Sequence, residues 1–212
     1  MAKRLLIFFT VVLGLAVVAD FIVRQVAEDK LAERVGSALE LDQDPELELG
    51  GWPFVLRALD GTFPEVKVTA ETLESRGVLL EDVEVSLTDV RFDLGDVISG
   101  SDRSVRTAGG RGRAALTAEA LTAAARREGA EVTFDFAAGG IVVSSESFGQ
   151  AAATPSVSER TLTIEADAFP QPFSITLPSI GGATYDSVEV EGGRLIVKVT
   201  LPPGRLSVSG DS

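Results

Sequence analysis

From Pro45 onward the apolar residues recur at every second position, a period that no helix can bury on one side. Val66, Val68 and Ala70 alternate with Lys67, Thr69 and Glu71, and Val83, Val85 and Leu87 alternate with Glu84, Ser86 and Thr88. The beat returns at Val132-Phe134-Phe136, Leu162-Ile164-Ala166, Phe173-Ile175-Leu177, Val188-Val190 and Leu195-Val197-Val199. Side chains on a strand point alternately to opposite faces, so these runs predict about eight antiparallel strands, each with one buried and one wet face.

Two Gly-Gly pairs, Gly139-Gly140 and Gly192-Gly193, read as hairpin turns, because both central residues of the favoured two-residue turn need positive φ. For the second pair the register follows. If Glu191 faces Arg194, then Val190 faces Leu195 and Val188 faces Val197, which places all four apolar side chains on one face and Glu189 with Ile196 on the other. The two pairs lie 53 residues apart and make a weak internal repeat at best. Ile98 to Gly112 reads as a polar, Gly-rich loop and Ser145 to Ser158 as an irregular segment. Ala114 to Arg127 is the one further helix candidate after the N-terminal region, expected near 117–128 with small side chains.

The N-terminus has a different pattern. Lys3 and Arg4 precede Leu5 to Ala19, fifteen consecutive uncharged residues, which is the layout of an export signal. Val17-Val18-Ala19 offers a cleavage site, but the apolar run resumes after Asp20 with Phe21-Ile22-Val23. Leu5 to Val23 as one helix would rise about 28 Å, near the hydrocarbon thickness, so an uncleaved transmembrane anchor is the alternative to a removed signal. Beyond Asp20, the residues Ile22, Val26, Leu31, Val35 and Leu39 predict an amphipathic helix with one apolar stripe to bury.

Composition narrows the partners. The net charge is −13, and apart from Lys3 and Arg4 there are 17 basic against 32 acidic residues. Phosphate backbones need clustered Lys and Arg, so no nucleic acid is expected, and adsorption to anionic lipid by charge is equally disfavoured. Membrane contact would come from apolar burial. Cys, His and Asn are absent, which excludes disulfides, a lipidated Cys, thiol chemistry, a His base and Asn-linked glycans. Arg outnumbers Lys 15 to 4, which with abundant Ala, Gly and Val points to GC-rich bacterial codons.

The search for chemistry finds nothing catalytic. No G-x-S-x-G and no His partner support a serine nucleophile. Asp42, Asp44, Glu46 and Glu48 have the alternation of a calcium loop, but Leu47 stands where its Gly belongs and Pro53 where its last ligand belongs. Gly109-Gly110-Arg111-Gly112 lacks the G-K-[ST] of a phosphate loop. Glu81-Asp82 and Asp93 with Asp96 are carboxylate pairs of the kind 32 acidic residues produce by chance. No cofactor or metal is called for, and the chain is expected not to be an enzyme.

The strands outnumber the helices available to cover them. Either the sheet packs on itself as a sandwich, which the pattern alone favours, or it curls around the amphipathic helix and leaves an apolar groove. A groove would suit an acyl chain, since burial contributes about 0.8 kcal/mol per methylene. Glu46-Leu-Glu-Leu-Gly-Gly-Trp-Pro-Phe54 followed by Leu59-Asp-Gly-Thr-Phe-Pro-Glu-Val-Lys-Val-Thr-Ala70 resembles the G-[FW]-P-F segment, turn and strand of the actinobacterial LmeA-like family. Leu177-Pro-Ser-Ile-Gly-Gly182 and Ser187-Val-Glu-Val-Glu-Gly-Gly-Arg-Leu-Ile-Val197 are similar to that family's closing hairpin.

The resemblance implies an α+β, mainly β fold, with a curved antiparallel sheet wrapped on the N-terminal amphipathic helix in the manner of tubular lipid-binding domains, preceded by one hydrophobic helix. It implies three parts: a signal or anchor at 1–19, an amphipathic helix of the domain at 20–40, and a β-rich lipid-binding domain at 41–212. It implies non-enzymatic binding of phospholipid or a lipid intermediate at the outer face of the plasma membrane, supporting envelope lipid biogenesis. The alternative is a structural or protein-interaction module of the envelope with a filled core. Partners are then the lipid, the plasma membrane and an envelope protein, and a cleaved chain would be secreted. The candidate lipid-contacting residues are Trp52, Phe54, Phe134, Phe136, Phe173, Val188, Val190, Leu195 and Val197. Trp52 and Phe54 bracket Pro53 where helix meets first strand, and a bulky pair there plugs the end of a core more often than it touches ligand.

Overall fold

The structure, a computed structural model, describes the backbone of residues 2–39, 41, 43–75, 78–99, 104–137, 140–147, 149–167, 172–177 and 182–207, and side chains from Leu13 onward. Four helices and thirteen strands lie among these residues, more strands than the alternation alone marks. They divide into two compact units, one of residues 1–68, 87–108 and 204–212, the other of 69–86 and 109–203. Two long antiparallel strands, β2 (Thr62–Ser75) and β3 (Val78–Arg91), belong to both.

The first unit is organised by α1 (Ala2–Leu39), an unbroken helix of 38 residues, about 57 Å long. Its C-terminal half lies against β1 (Glu46–Leu49), which neighbours β2. Ala27, Leu31 and Ala32 form one core with Leu47, Leu49, Phe54, Phe63, Val66 and Val90, and Val35 packs at its margin. The buried stripe agrees with the expected one at Leu31 and Val35 and departs from it nearer the N-terminus. Ile22 and Val26 are exposed, while Asp20, Ala27, Leu31 and the half-buried Val35 turn inward, and Leu39 lies outside the described side chains. The reason is that this inward face carries polar groups with work to do: Glu28 accepts a hydrogen bond from the Leu49 amide at 2.7 Å and from Arg24 Nε at 2.8 Å. A stripe sought among apolar residues alone therefore comes out rotated.

Two short helices escape the sequence pattern. α2 (Phe54–Asp60) follows a cis Trp52–Pro53 bond and ends at Gly61, whose left-handed φ of 61° lets its amide return to Arg57 O. A Cβ at Gly61 would stand 2.7 Å from Phe92 O, so the position needs glycine on both counts. α3 (Leu94–Ser99) is tied to α1 by Arg34 Nε donating to Ile98 O at 2.9 Å. The expected loop Ile98–Gly112 instead contains β4 (Ser104–Thr107), which pairs with β13 (Gly204–Ser207), and the start of β5 (Gly109–Leu116); residues 100–103 lie outside the described ones.

β3 shows how a strand stays amphipathic while it bends. Val78 and Leu80 are buried at even positions, the apolar set moves to Val83, Val85 and Leu87, and Val90 restores even phase. Asp82 and Asp89, the residues at the two slips, have φ of 47°, as at β-bulges, where an extra residue kinks the strand and reverses which face is addressed.

In the second unit, β3 neighbours β5, which pairs with β12 (Arg194–Leu201), which pairs with β11 (Thr184–Glu191). The β11–β12 register is the expected one, with Val188 opposite Val197, Val190 opposite Leu195 and Glu189 opposite Ile196, and both turn glycines have positive φ. The other Gly-Gly pair behaves differently. β6 (Thr133–Ala137) and β7 (Gly140–Ser145) close at Ala137 opposite Gly140, so Gly140 belongs to the strand, and Gly139 lies outside the described residues. The segment expected to be irregular is largely β8 (Gly149–Ser158), which pairs with β7 and with β9 (Thr161–Ala166). With β10 (Phe173–Thr176) these make a second antiparallel sheet, ordered β10-β9-β8-β7-β6. α4 (Ala118–Arg127) starts at Thr117, whose side chain caps the Ala120 amide, and buries Ala120, Leu121, Ala124 and Ala125.

Candidate functional site

The second sheet is strongly curved. β6 and β10 are its two edges, separated in a flat sheet by about 19 Å at about 4.8 Å per strand. Their aromatic side chains nevertheless meet, with the rings of Phe134 and Phe173 5.3 Å apart. α4 packs against both edges, and Thr122 Oγ1 accepts the Phe134 amide at 3.0 Å. One face of this curved sheet is apolar except at the Ser145 end of β7. Register places Phe134 beside Val143, Phe136 beside Ile141, Val143 beside Ala151, Ile141 beside Ala153, Pro155 beside Ile164, Val157 beside Leu162, and Phe173 beside Ile164.

Cover on that face is uneven. Phe134, Ile141, Val143, Leu162, Ile164 and Ile175 are buried, whereas Phe136, Phe173 and the β8 series Ala151, Ala153, Pro155 and Val157 are only half-buried. β11 packs against β8, and its Val188 and Val190 are half-buried as well. The result is a band of apolar side chains, contributed by β6, β8, β10 and β11, that the core does not fully take up. Such a band accepts methylene groups without needing any polar partner.

The expected site residues therefore separate into three groups. Phe136, Phe173, Val188 and Val190 belong to the band, with Phe134 buried at its edge. Leu195 and Val197 are buried on β12, 0% and 3% exposed, and belong to the core beneath. Trp52 and Phe54 lie in the other unit and part company: Phe54 is fully buried, its ring 6.0 Å from Phe63, while Trp52 is 69% exposed. The β8 series gives little signal in the sequence because three of its four alternating residues, Ala151, Ala153 and Pro155, carry weak strand propensity. Pro155 is tolerated since β7 pairs only as far as Ala153, leaving no ladder partner for the missing N–H on that side.

The opposite face of β3, β5, β12 and β11 is polar. Glu84 pairs with Arg113 at 2.8 Å, Glu189 with Lys198 at 2.9 Å, Asp82 with Arg194, and Thr200 donates to Asp186 at 2.7 Å. The Lys198 hydrogen bond and charge hold the Glu189 carboxyl below its ordinary range and raise the lysine. Tyr185, buried on β11, has its hydroxyl pushed up by burial, against the opposing charge of Arg160. A hollow of about 750 Å³ opens beyond the C-terminal end of α4 and is lined by Arg126, Gly129 to Thr133 and Ser144 to Glu146. Its lining carries two carboxylates, Glu131 and Glu146, against one cation, Arg126. Of the acidic run considered for calcium, Asp42 lies outside the described residues, and no three potential metal ligands gather among the described ones.

Neither the curated proteins nor the solved structures give a match. A family description does, LmeA-like phospholipid-binding, and it spans residues 18–200, from the last apolar turns of α1 to β12. A match over most of the length, on a mainly β fold of curved, unclosed sheets with an N-terminal helix, is sufficient to place the protein. The chain belongs to the LmeA-like phospholipid-binding family.

Proposed function

We propose that this chain binds a phospholipid or lipid intermediate, without transforming it, at the outer face of the plasma membrane in support of envelope lipid biogenesis. The observation that carries the reading is the half-buried apolar band of Phe136, Phe173, Val188, Val190 and the β8 alternation, in a chain of a phospholipid-binding family. Acyl chains laid on it would gain burial, and the Glu189–Lys198 face behind it would stay in water.

Placement at the membrane rests on α1. Among the described residues no helix is long and apolar enough to cross a membrane, and Leu5 to Val12 of the apolar run lie outside the described side chains. Two features favour retention of the segment on the chain. α1 passes Ala19 without a break, and Asp20 is engaged in the fold, accepting the amides of Phe54 at 2.9 Å and Val55 at 2.8 Å. Cleavage after Ala19 would make Asp20 a chain end and put a charged amino group beside the carboxylate that holds the α2 amides. Intact mass of the protein extracted from membranes should include residues 1–19; a mass starting at Asp20 overturns retention.

The test of binding is native mass spectrometry of the protein purified from cells. Wild type should carry the added mass of a phospholipid, and Val190→Asp should lose it while keeping a folded charge-state distribution. The filled-core module, which the complete burial of Leu195 and Val197 favours, instead requires bare mass and no uptake of added phospholipid.

A further inference from the structure

Asp20 does more than interrupt an apolar run. α2 has no cap from its own chain neighbourhood: Pro53 occupies the N-cap position and supplies no side-chain hydrogen bond. The carboxylate of Asp20, 34 residues earlier, supplies it instead, one oxygen to each of the first two helical amides. This fixes α2 beside α1 just where α1 leaves its charge-free stretch.

What α2 displays there is unusual for a domain surface. Phe54 points into the core, but Trp52, Val55, Leu56 and Leu59 are exposed, Leu59 to 79%. On α1 every residue from Leu13 to Ala19 is exposed, followed by Phe21, Ile22 and Val23. At about 100° per residue these point in all directions around the helix. A second copy or a protein groove would cover one stripe, whereas a lipid environment covers a helix on every side. The charge agrees. Trp52 to Gly61 contains Arg57 and Asp60 and so is neutral, within a protein of net charge −13 that anionic headgroups would otherwise repel.

We infer that Trp52 and the exposed face of α2 form a second membrane contact, a foot that enters the interface of a phospholipid bilayer beside α1, positioned by the Asp20 carboxylate. Tryptophan settles at the headgroup level, and Leu56 and Leu59 reach toward the acyl region. This rests on the reading that α1 lies in the membrane, and the experiment separates the two.

Trp52 is the only tryptophan, so its fluorescence reports the foot alone. The full chain is reconstituted in phosphatidylcholine vesicles containing lipids brominated near the glycerol end of their chains. Trp52 emission should shift to the blue and be quenched by bromine, with high salt leaving both unchanged. The Leu56→Glu/Leu59→Glu double variant should still float with vesicles but lose the quenching. A wild-type chain that floats while Trp52 stays open to aqueous quencher and untouched by bromine overturns the foot and leaves the α1 reading standing. A chain that does not float overturns both. Shielding of Trp52 that grows with protein concentration without vesicles assigns the face to a second copy and also overturns the proposal.

Discussion

The two units of this protein place their surplus apolar surface in opposite ways. The first, built on α1, exposes it: the large apolar residues of the helix between Leu13 and Val26, and Trp52, Val55, Leu56 and Leu59 around α2, are exposed. The second, built from strands and α4, holds it half-covered, and Leu79 is the one large apolar residue of that unit exposed among the described ones. A surface for a bilayer must be convex and open, whereas a surface for one lipid must shield it from water. The same hydrophobic effect thus yields an outward foot in one unit and a sheltered band in the other.

The comparison breaks most sharply at Val197. A carboxylate on this buried β12 residue would lack a partner and cost several kcal/mol, a large share of the about 5–15 kcal/mol that holds a domain together, so Val197→Asp should unfold the protein. Val190→Asp, half-buried on the paired strand, should fold and lose lipid. Thermal unfolding of the two side by side decides it; equal destabilisation would mean that Val190 too belongs to a filled core.

Next in size is Asp20. Asp20→Ala removes both acceptors from two α2 amides, one of them buried, and should lower stability by about 1–3 kcal/mol. The same variant should reduce bromine quenching of Trp52 while the chain still floats, and phospholipid uptake measured by mass should be retained. If quenching is unchanged, the Asp20 carboxylate does not set the position of the foot.

These two tests fall on residues that the sequence reveals unequally. The β11–β12 hairpin was legible to the register because Glu191 and Arg194 flank two glycines and the apolar alternation agrees on both sides. Asp20 was legible only as a break in hydrophobicity, since its partners are backbone amides 34 residues away, and no periodicity encodes such a contact. The inward face of α1 is only partly legible for the same reason, since it carries the buried Asp20 and the half-buried Glu28 beside Leu31. α2 and α3, of 7 and 6 residues, are too short for a helical period to show. β8 failed on composition: its face is alanine, proline and valine, and it is this strand that supplies the floor of the band.

Ala153 tests that floor with a smaller expected effect. In a packed interior an added isobutyl group forces strain of about 1–3 kcal/mol. On a half-open band Ala153→Leu should leave the unfolding midpoint nearly unchanged and lower phospholipid uptake by occupying the place of a few methylenes. A clear loss of stability with uptake intact would show β8 to be packed and the band to lie elsewhere on the sheet.

The smallest effect belongs to the polar face behind the band. Lys198 lowers the Glu189 pKa and has its own raised, so the pair stabilises the fold between those two titrations. The glutamate's contribution is present above its unfolded pKa and is lost as pH falls through the depressed folded value. The lysine's contribution is present below its unfolded pKa and is lost as pH rises through the raised one. Both groups are in water, and an exposed pair contributes little. Lys198→Gln should therefore move the Glu189 carboxyl titration, followed by NMR, upward toward the ordinary range while leaving lipid uptake and the unfolding midpoint at neutral pH almost unchanged. Lys198→Glu, which reverses the charge on the same face, should also retain uptake. Loss of uptake in either variant would place lipid contact on the polar face of β12 and reverse the assignment of the two faces of that sheet.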